Sequence, residues 1–266
     1  MAISSRRPYH PQWAAAILSA LVLFPTVGAA GSARTVIQVM ADTWCPYTCA
    51  PDAPQKGLLV DVVQLLLKDT EFDMNFRIVP WERVMTEGRG GRIDVVLGMA
   101  EAEADGDFDV STFSWDSPTC AYALDSSTKT LKSVPDLLNF KSIGLSKGYF
   151  YGEKADKFLN TNTDIKPRLQ YVGSTEPAGA NFKKVANNRI EIALEDPGVA
   201  NLLVKSLNIT GLKSIGCLPE VVKVFVGLPK KGKHYAKLSQ TLQKRMAVVR
   251  KSGELDKVIK QYPLKP

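Results

Sequence analysis

Cys45 and Cys49 stand four positions apart in ADTWCPYTCAP, with Trp44 before them and Pro46 and Tyr47 between them, directly after the apolar run VIQVM. Cysteines this close can ligate a metal, exchange electrons or staple a loop. A zinc site needs further ligands. Beyond the first 30 residues the chain has a single histidine, His234, so no metal is expected. A redox pair usually has two intervening residues at the start of a helix, whereas here there are three and one is Pro46. A bridge across so short a loop contributes roughly 2 kcal/mol through chain entropy. Its better use is to hold the shape of the loop.

The other groups with chemical potential are dispersed. His234 is the one candidate base for a Ser-His-Asp triad, and it sits in the polar stretch KKGKHYAK away from any nucleophile motif. Asp196 precedes Pro197 and reads as a helix cap or as a cation ligand, roles one carboxylate can combine. The acidic run Glu101, Glu103, Asp105, Asp107 and Asp109 reads first as a solvated loop and only second as a cation site. Trp81 is either a core aromatic or a cleft wall, and Arg83 either a surface residue or a carboxylate clamp. Tyr149 and Tyr151 occupy a glycine-flanked loop, a poor place to bury two phenols.

The amino terminus indicates where the cysteines reside. Arg6 and Arg7 precede an apolar run over residues 13–24, then Pro25 and small residues. This is the pattern of a secretory signal peptide, residues 1–30, cleaved near Ala30. No later stretch has eighteen consecutive apolar residues, so a periplasmic, soluble product is expected. In an oxidising compartment the four cysteines Cys45, Cys49, Cys120 and Cys217 read as two disulfides. Cleavage removes two arginines and no acid, which takes the net charge from +7 to +5. The C-terminal lysines recur at helical spacing, as on a solvated face, so no nucleic-acid partner is expected. Nothing calls for a cofactor, and a monomer is expected.

These residues must be positioned by an alternation of strands and helices. VIQVMAD reads as a buried strand, and residues 57–69 carry apolar positions at 58, 59, 62, 63 and 66, a helical period. NFRIV, WERVMTEGRGG and IDVVLGM continue as strand, helix and strand. This is a parallel βαβαβ unit with a ligand crevice at its strand carboxyl ends. After Pro118 a second unit follows: strands TCAYALD, KSIGLS, RLQYVGS and RIEIALED with helices GEKADKFLN, one ending at Asn187, and PGVANLLVKSL. VVKVFVGLPK is a last strand. The tail then holds a helix on Tyr235, Leu238, Leu242, Met246 and Val249 and a shorter one in GELDKVIKQY. Without a linker between the units, strands must cross directly between two α/β lobes, with a ligand site at their interface.

Taken in order, these segments resemble the bacterial periplasmic solute-binding proteins of family 3, the polar amino acid type. ADTWCPY with GLLVDVVQLLL is similar to that family's first strand, ligand loop and first helix. PWERV and GRIDVVLGM are similar to its next helix and third strand, and FSWDSP to the segment before the first crossover. VPDLLNFKSIGLSKGYFYG follows the next motif with Phe140 in place of a usual glycine, and NNRIEIALEDPGVANLL and RKSGELDKVIKQY match the later strand–helix and closing motifs. The correspondence runs over about residues 35–262.

The resemblance implies an α/β, two-lobe periplasmic-binding-protein fold of type II, a venus flytrap. Residues 34–119 and 219–266 would form lobe 1 and residues 120–218 lobe 2. It implies a ligand cleft with Asp42, Trp44 and Tyr47 on the first loop, Trp81 as an aromatic wall and the backbone at Gly98. From the second lobe it implies the turn Gly148, Tyr149 to Tyr151, whose amides would favour an anionic group, and Asp196 for a ligand ammonium. The family's clamp arginine after the third strand is absent from MAEAEADGDFDVSTF, which leaves Arg83 as its replacement or the ligand without that clamp. The implied function is capture of a small polar solute, amino-acid-like or related, for a membrane transporter permease or sensor. The alternative is a periplasmic dehydratase of the cyclohexadienyl dehydratase type, with Glu195 or the acidic loop as acid and only Arg83 and Lys147 as cationic groups. In this architecture Cys45 should bond Cys49, and Cys120 on the first crossing strand should bond Cys217 before the return strand.

Overall fold

The structure is a computed structural model that describes residues 1, 2, 4 and 33–264, so the expected signal peptide and its cleavage near Ala30 lie almost wholly outside the described residues. In the first half, β1 (Thr35–Ala41), α1 (Leu58–Leu67), β2 (Phe72–Ile78), α2 (Trp81–Arg89) and β3 (Val95–Ala100) alternate as the periodicity predicts. β1 pairs in parallel with β2 on one side and β3 on the other. β1 and β3 are mostly apolar because parallel strands are covered on both faces. α1 is apolar on nearly all sides, with Leu58, Leu59, Val60, Val62, Val63, Leu66 and Leu67 buried. It lies against the sheet and under the C-terminal helices α7 (Tyr235–Ser252) and α8 (Glu254–Ile259), the arrangement that an all-round hydrophobic helix requires.

A short helix α3 (Glu101–Ala104) and a two-residue strand β4 (Phe108–Asp109) lead into β5 (Ser114–Leu124). β6 (Ile143–Ser146), α4 (Glu153–Thr161), β7 (Leu169–Val172), α5 (Pro177–Ala186), β8 (Ile192–Glu195) and α6 (Pro197–Ser206) form the second alternating set, and β9 (Leu212–Pro229) returns. The sheet order is β2-β1-β3-β9-β5-β8-β6-β7, with β4 paired to β9. β5 and β9 are antiparallel partners from Ser114 opposite Phe225 to Leu124 opposite Leu212, and this pair joins the two alternating sets.

Both crossing strands are longer than the apolar runs predict. Residues 212–222 of β9 carry Lys213, Pro219 and Glu220 among half-exposed positions, so no continuous hydrophobic signal marks that part of the strand. Cys120 and Cys217 are register partners on this pair and are bonded to each other, and Cys45 is bonded to Cys49. Apolar cores gather on either side of the crossing pair. Two are drawn wholly from residues 120–218. The others come mainly from residues 37–115 and 222–262, joined by Ala178 and Val199. Among the described residues no helix is long and apolar enough to cross a membrane.

Candidate functional site

The loop between β1 and α1 is built from its own backbone. Trp44 N–H donates to Thr48 O at 2.7 Å, Thr48 N–H returns to Trp44 O at 3.1 Å, and the Thr48 hydroxyl donates to Asp42 O at 2.8 Å. The Cys45–Cys49 bond closes the same turn. The loop also caps α1, because Leu58 N–H donates to Pro46 O and Leu59 N–H to Tyr47 O. So close an approach requires Gly57: its φ is +112°, and a Cβ there would lie 2.4 Å from Tyr47 O. Trp44 is thereby stacked on Tyr47, with ring centroids 4.3 Å apart, and its edge is turned across the molecule.

That edge meets the second half of the chain. Trp44 Nε1–H donates to Glu195 Oε1 at 2.8 Å, and the Tyr149 hydroxyl donates to Asp42 Oδ2 at 2.6 Å. The Tyr47 hydroxyl donates to Asp196 Oδ1 at 3.1 Å. Between these contacts lies a cavity of about 50 Å³. Of the residues named from sequence, Asp42, Trp44, Trp81, Gly98, Tyr149, Tyr151 and Asp196 line it. Gly98 sits at a bulge in β3 with φ +92°, beside the Trp44 ring. Thr48, Glu103, Ser117, Thr119 and Glu195 contribute further polar walls, and Val222 and Val224 contribute part of the apolar surface.

Asp42, Glu103, Glu195 and Asp196 bring four carboxylates to this cavity, whose lining contains no Lys, Arg or His. Burial raises the Asp42 carboxyl to about 7, against the lowering effect of the Tyr149 hydroxyl. Burial raises Glu103 to about 7, although Ala100 N–H and Trp81 Nε1–H both donate to it. Glu195 is raised to about 8, again chiefly by burial, with Trp44 and the Asp196 amide opposing. Asp196 is also raised by burial. Desolvation without a counter-cation is the common cause.

Asp196 caps α6, accepting from Gly198 N–H at 2.7 Å and Val199 N–H at 3.1 Å, and also accepts from Ser117 at 2.9 Å. The cap half of its expected double role is therefore explicit. Tyr47 does not line the cavity but backs Trp44 and orients Asp196. Gly148, with φ +82°, packs against Trp81, to whose Cδ1 a Cβ would approach within 3.3 Å.

Several expectations about charged and anion-binding groups differ from the structure. Arg83 is not in the cavity: its side chain is 64% exposed on α2 and lies 3.9 Å from Glu87. The buried face of α2 is Trp81, Val84, Met85 and Gly88, and Arg83 falls off it. Lys147 is also outside, paired with Glu82 at 3.0 Å. Of the turn amides expected to favour an anionic group, Tyr149 N–H donates to Ser146 O at 3.3 Å and Tyr151 N–H to Asp156 Oδ1 at 3.0 Å, and Glu220 takes up the first amides of α4. The acidic run is not uniformly solvated either. Glu103 turns inward and accepts from Ala100 N–H, which an alanine at the cap position did not signal in the sequence. His234 pairs with Asp94 at 2.9 Å and takes no part in the cavity.

Residues 36–265 match the family of bacterial extracellular solute-binding proteins, family 3, and the chain belongs to that family. No curated protein matches it closely enough to carry an assignment. Among solved structures, a histidine kinase sensor domain with similarity to periplasmic binding proteins shares 16% identity, covers 88% of this chain and 98% of its own, and superposes with a TM-score of 0.73. An ancestral arginine-binding protein bound to arginine gives 18%, 87%, 100% and 0.71 in the same order. The arginine-, lysine-, histidine-binding protein ArtJ from Geobacillus stearothermophilus gives 17%, 88%, 96% and 0.68. At these identities the likeness concerns the fold, an α/β mixed sheet with flanking helices.

Proposed function

We propose that this member of the family captures a small polar solute in the cavity between β1, β3 and β8, and presents the closed form to a membrane transporter or sensor. The observation that supports this most directly is the provenance of the cavity walls. Asp42, Trp44, Trp81 and Glu103 come from one side of the crossing strands and Tyr149, Tyr151, Glu195 and Asp196 from the other. In this reading residues 34–119 with 219–266 and residues 120–218 act as two lobes hinged on β5 and β9. The bonds Trp44–Glu195 and Tyr149–Asp42 are latches of the closed state. A solute touching both sides favours closure by its differential affinity for the closed form. The similar solved structures include a kinase sensor domain and amino-acid-binding proteins, so either kind of membrane partner suits the fold.

A solute library screened by thermal shift, followed by small-angle scattering with each hit, tests the proposal. Hits should raise the midpoint through mass action and reduce the radius of gyration. Hits that leave the scattering profile unchanged count against hinge closure. The dehydratase reading has one observation in its favour, a Glu195 carboxyl held protonated near neutral pH. Against it, a prephenate-like dianion would meet four acids and no cationic side chain in this lining.

A further inference from the structure

Four side-chain donors around the cavity are committed to its own carboxylates, while the Tyr151 hydroxyl accepts from Ser146 N–H and keeps its own O–H. Trp44 Nε1–H serves Glu195, Trp81 Nε1–H serves Glu103, the Tyr149 hydroxyl serves Asp42, and Ser117 serves Asp196. Acceptors remain in excess. Trp44 Nε1–H and Asp196 N–H both donate to Glu195 Oε1, so Oε2 of this 5%-exposed side chain has no partner among the described residues. Thr119, 7% exposed, lines the cavity with a hydroxyl that likewise has no partner among them. A solute carboxylate would meet hydroxyls but no cationic side chain, and its charge would oppose ionisation of the four acids. A solute N–H⁺ group would meet free acceptors and the aromatic faces that attract cations. Among the described residues no three His, Cys, Asp or Glu side chains are grouped to hold a metal ion. About 50 Å³ is space for roughly four waters at 10–15 Å³ each, which suits a solute of a few heavy atoms.

We infer that the solute is a small organic ammonium ion without a carboxylate, held by Glu195, Asp42 and Asp196 and walled by Trp44 and Trp81. This rests on the receptor reading above and narrows its ligand to one chemical class. Burial supports it, since carboxyls raised without a counter-cation are relieved when one enters.

The test is calorimetric titration of the full exported chain, unfolded and refolded to strip bound solute, in phosphate buffer at pH 8. The probes are n-propylammonium, propionate and alanine, beside a broad library of amines, amino acids, sugars and carboxylates. Propylammonium or another carboxylate-free amine should bind at least tenfold more tightly than propionate and alanine. Glu195→Gln should weaken the amine at least tenfold, and Asp42→Asn serves as the second variant should the first not fold. Alanine, propionate or a neutral solute binding as tightly as the best amine overturns the ammonium class and leaves the receptor reading standing. No binding by any library member, with scattering unchanged throughout, overturns both.

Discussion

The two disulfides differ in the chain length they close, and this makes their separate removal quantitative. Cys45 and Cys49 are 4 residues apart, whereas Cys120 and Cys217 are 97 apart. By chain entropy the short loop is worth about 2 kcal/mol and the long one about 4.7 kcal/mol. Cys120→Ala with Cys217→Ala should therefore remove about 5 kcal/mol, a large part of the 5–15 kcal/mol of an ordinary domain. With a urea dependence of about 3 kcal/mol per M, the midpoint should fall by about 1.5 M. Cys45→Ala with Cys49→Ala should lower it by about 0.7 M. Alanine is the better replacement at the long bridge because Cys120 is buried, and a serine hydroxyl there would add its own desolvation cost.

The assay is urea unfolding of both double variants, read by far-UV circular dichroism. Near-UV spectra of the folded states report the Trp44–Tyr47 stack, which the short bridge holds and the long one does not touch. The long-bridge variant should be the less stable of the two and keep its near-UV signature. The short-bridge variant should be the more stable and lose part of it. Equal midpoint shifts, or a larger shift for the short bridge, refute the chain-length argument.

Glu195 lies in the folded protein at about 8, against an unfolded value near 4.5. Between these values the unfolded state has released a proton that the folded state keeps, so stability without solute should fall as pH rises from about 5 to 8, by up to a few kcal/mol. Unfolding midpoints measured across that range should slope downward in the native chain and less steeply in Glu195→Gln; parallel slopes would discard the assignment. Trp81→Phe keeps most of the ring packing but removes the 3.0 Å donor to Glu103. Its cost should be about 1.5–3 kcal/mol at pH 9, where that carboxylate is charged, and smaller at pH 5, as paired denaturant titrations would show. Gly57→Ala places a Cβ 2.4 Å from Tyr47 O at φ +112° and should destabilise by roughly 2–4 kcal/mol in chemical unfolding; a neutral result would mean that the loop and α1 can separate freely.

The fold was legible wherever burial imposes a pattern. β1 and β3 are apolar runs because both faces are covered, and α1 shows its period at 58, 59, 62, 63 and 66 because that stripe meets the sheet. β9 exceeds its apolar run because residues 212–220 are mostly exposed or half-buried, so neither alternation nor a run marks them. The cavity lining was legible where loops follow strands, as at Asp42, Trp44, Tyr149 and Asp196, whereas Gly98 lies at a bulge within β3. It was not legible where a charge could turn either way. Arg83 could have been excluded by phase, since Trp81, Val84, Met85 and Gly88 define a buried face that omits it. Glu82 and Glu220, which take up Lys147 and the first amides of α4, come from parts of the chain that only the tertiary fold brings near. These pairings bear on the ligand. The segment after β3 lacks a clamp arginine, Arg83 points away, Lys147 is paired outside, and the α4 amides are occupied, so each positive group that might have compensated is otherwise engaged. Three buried carboxylates and the partly buried Glu103 then face one cavity with no cation among its walls, which is the ground for the proposal that positive charge arrives with the solute.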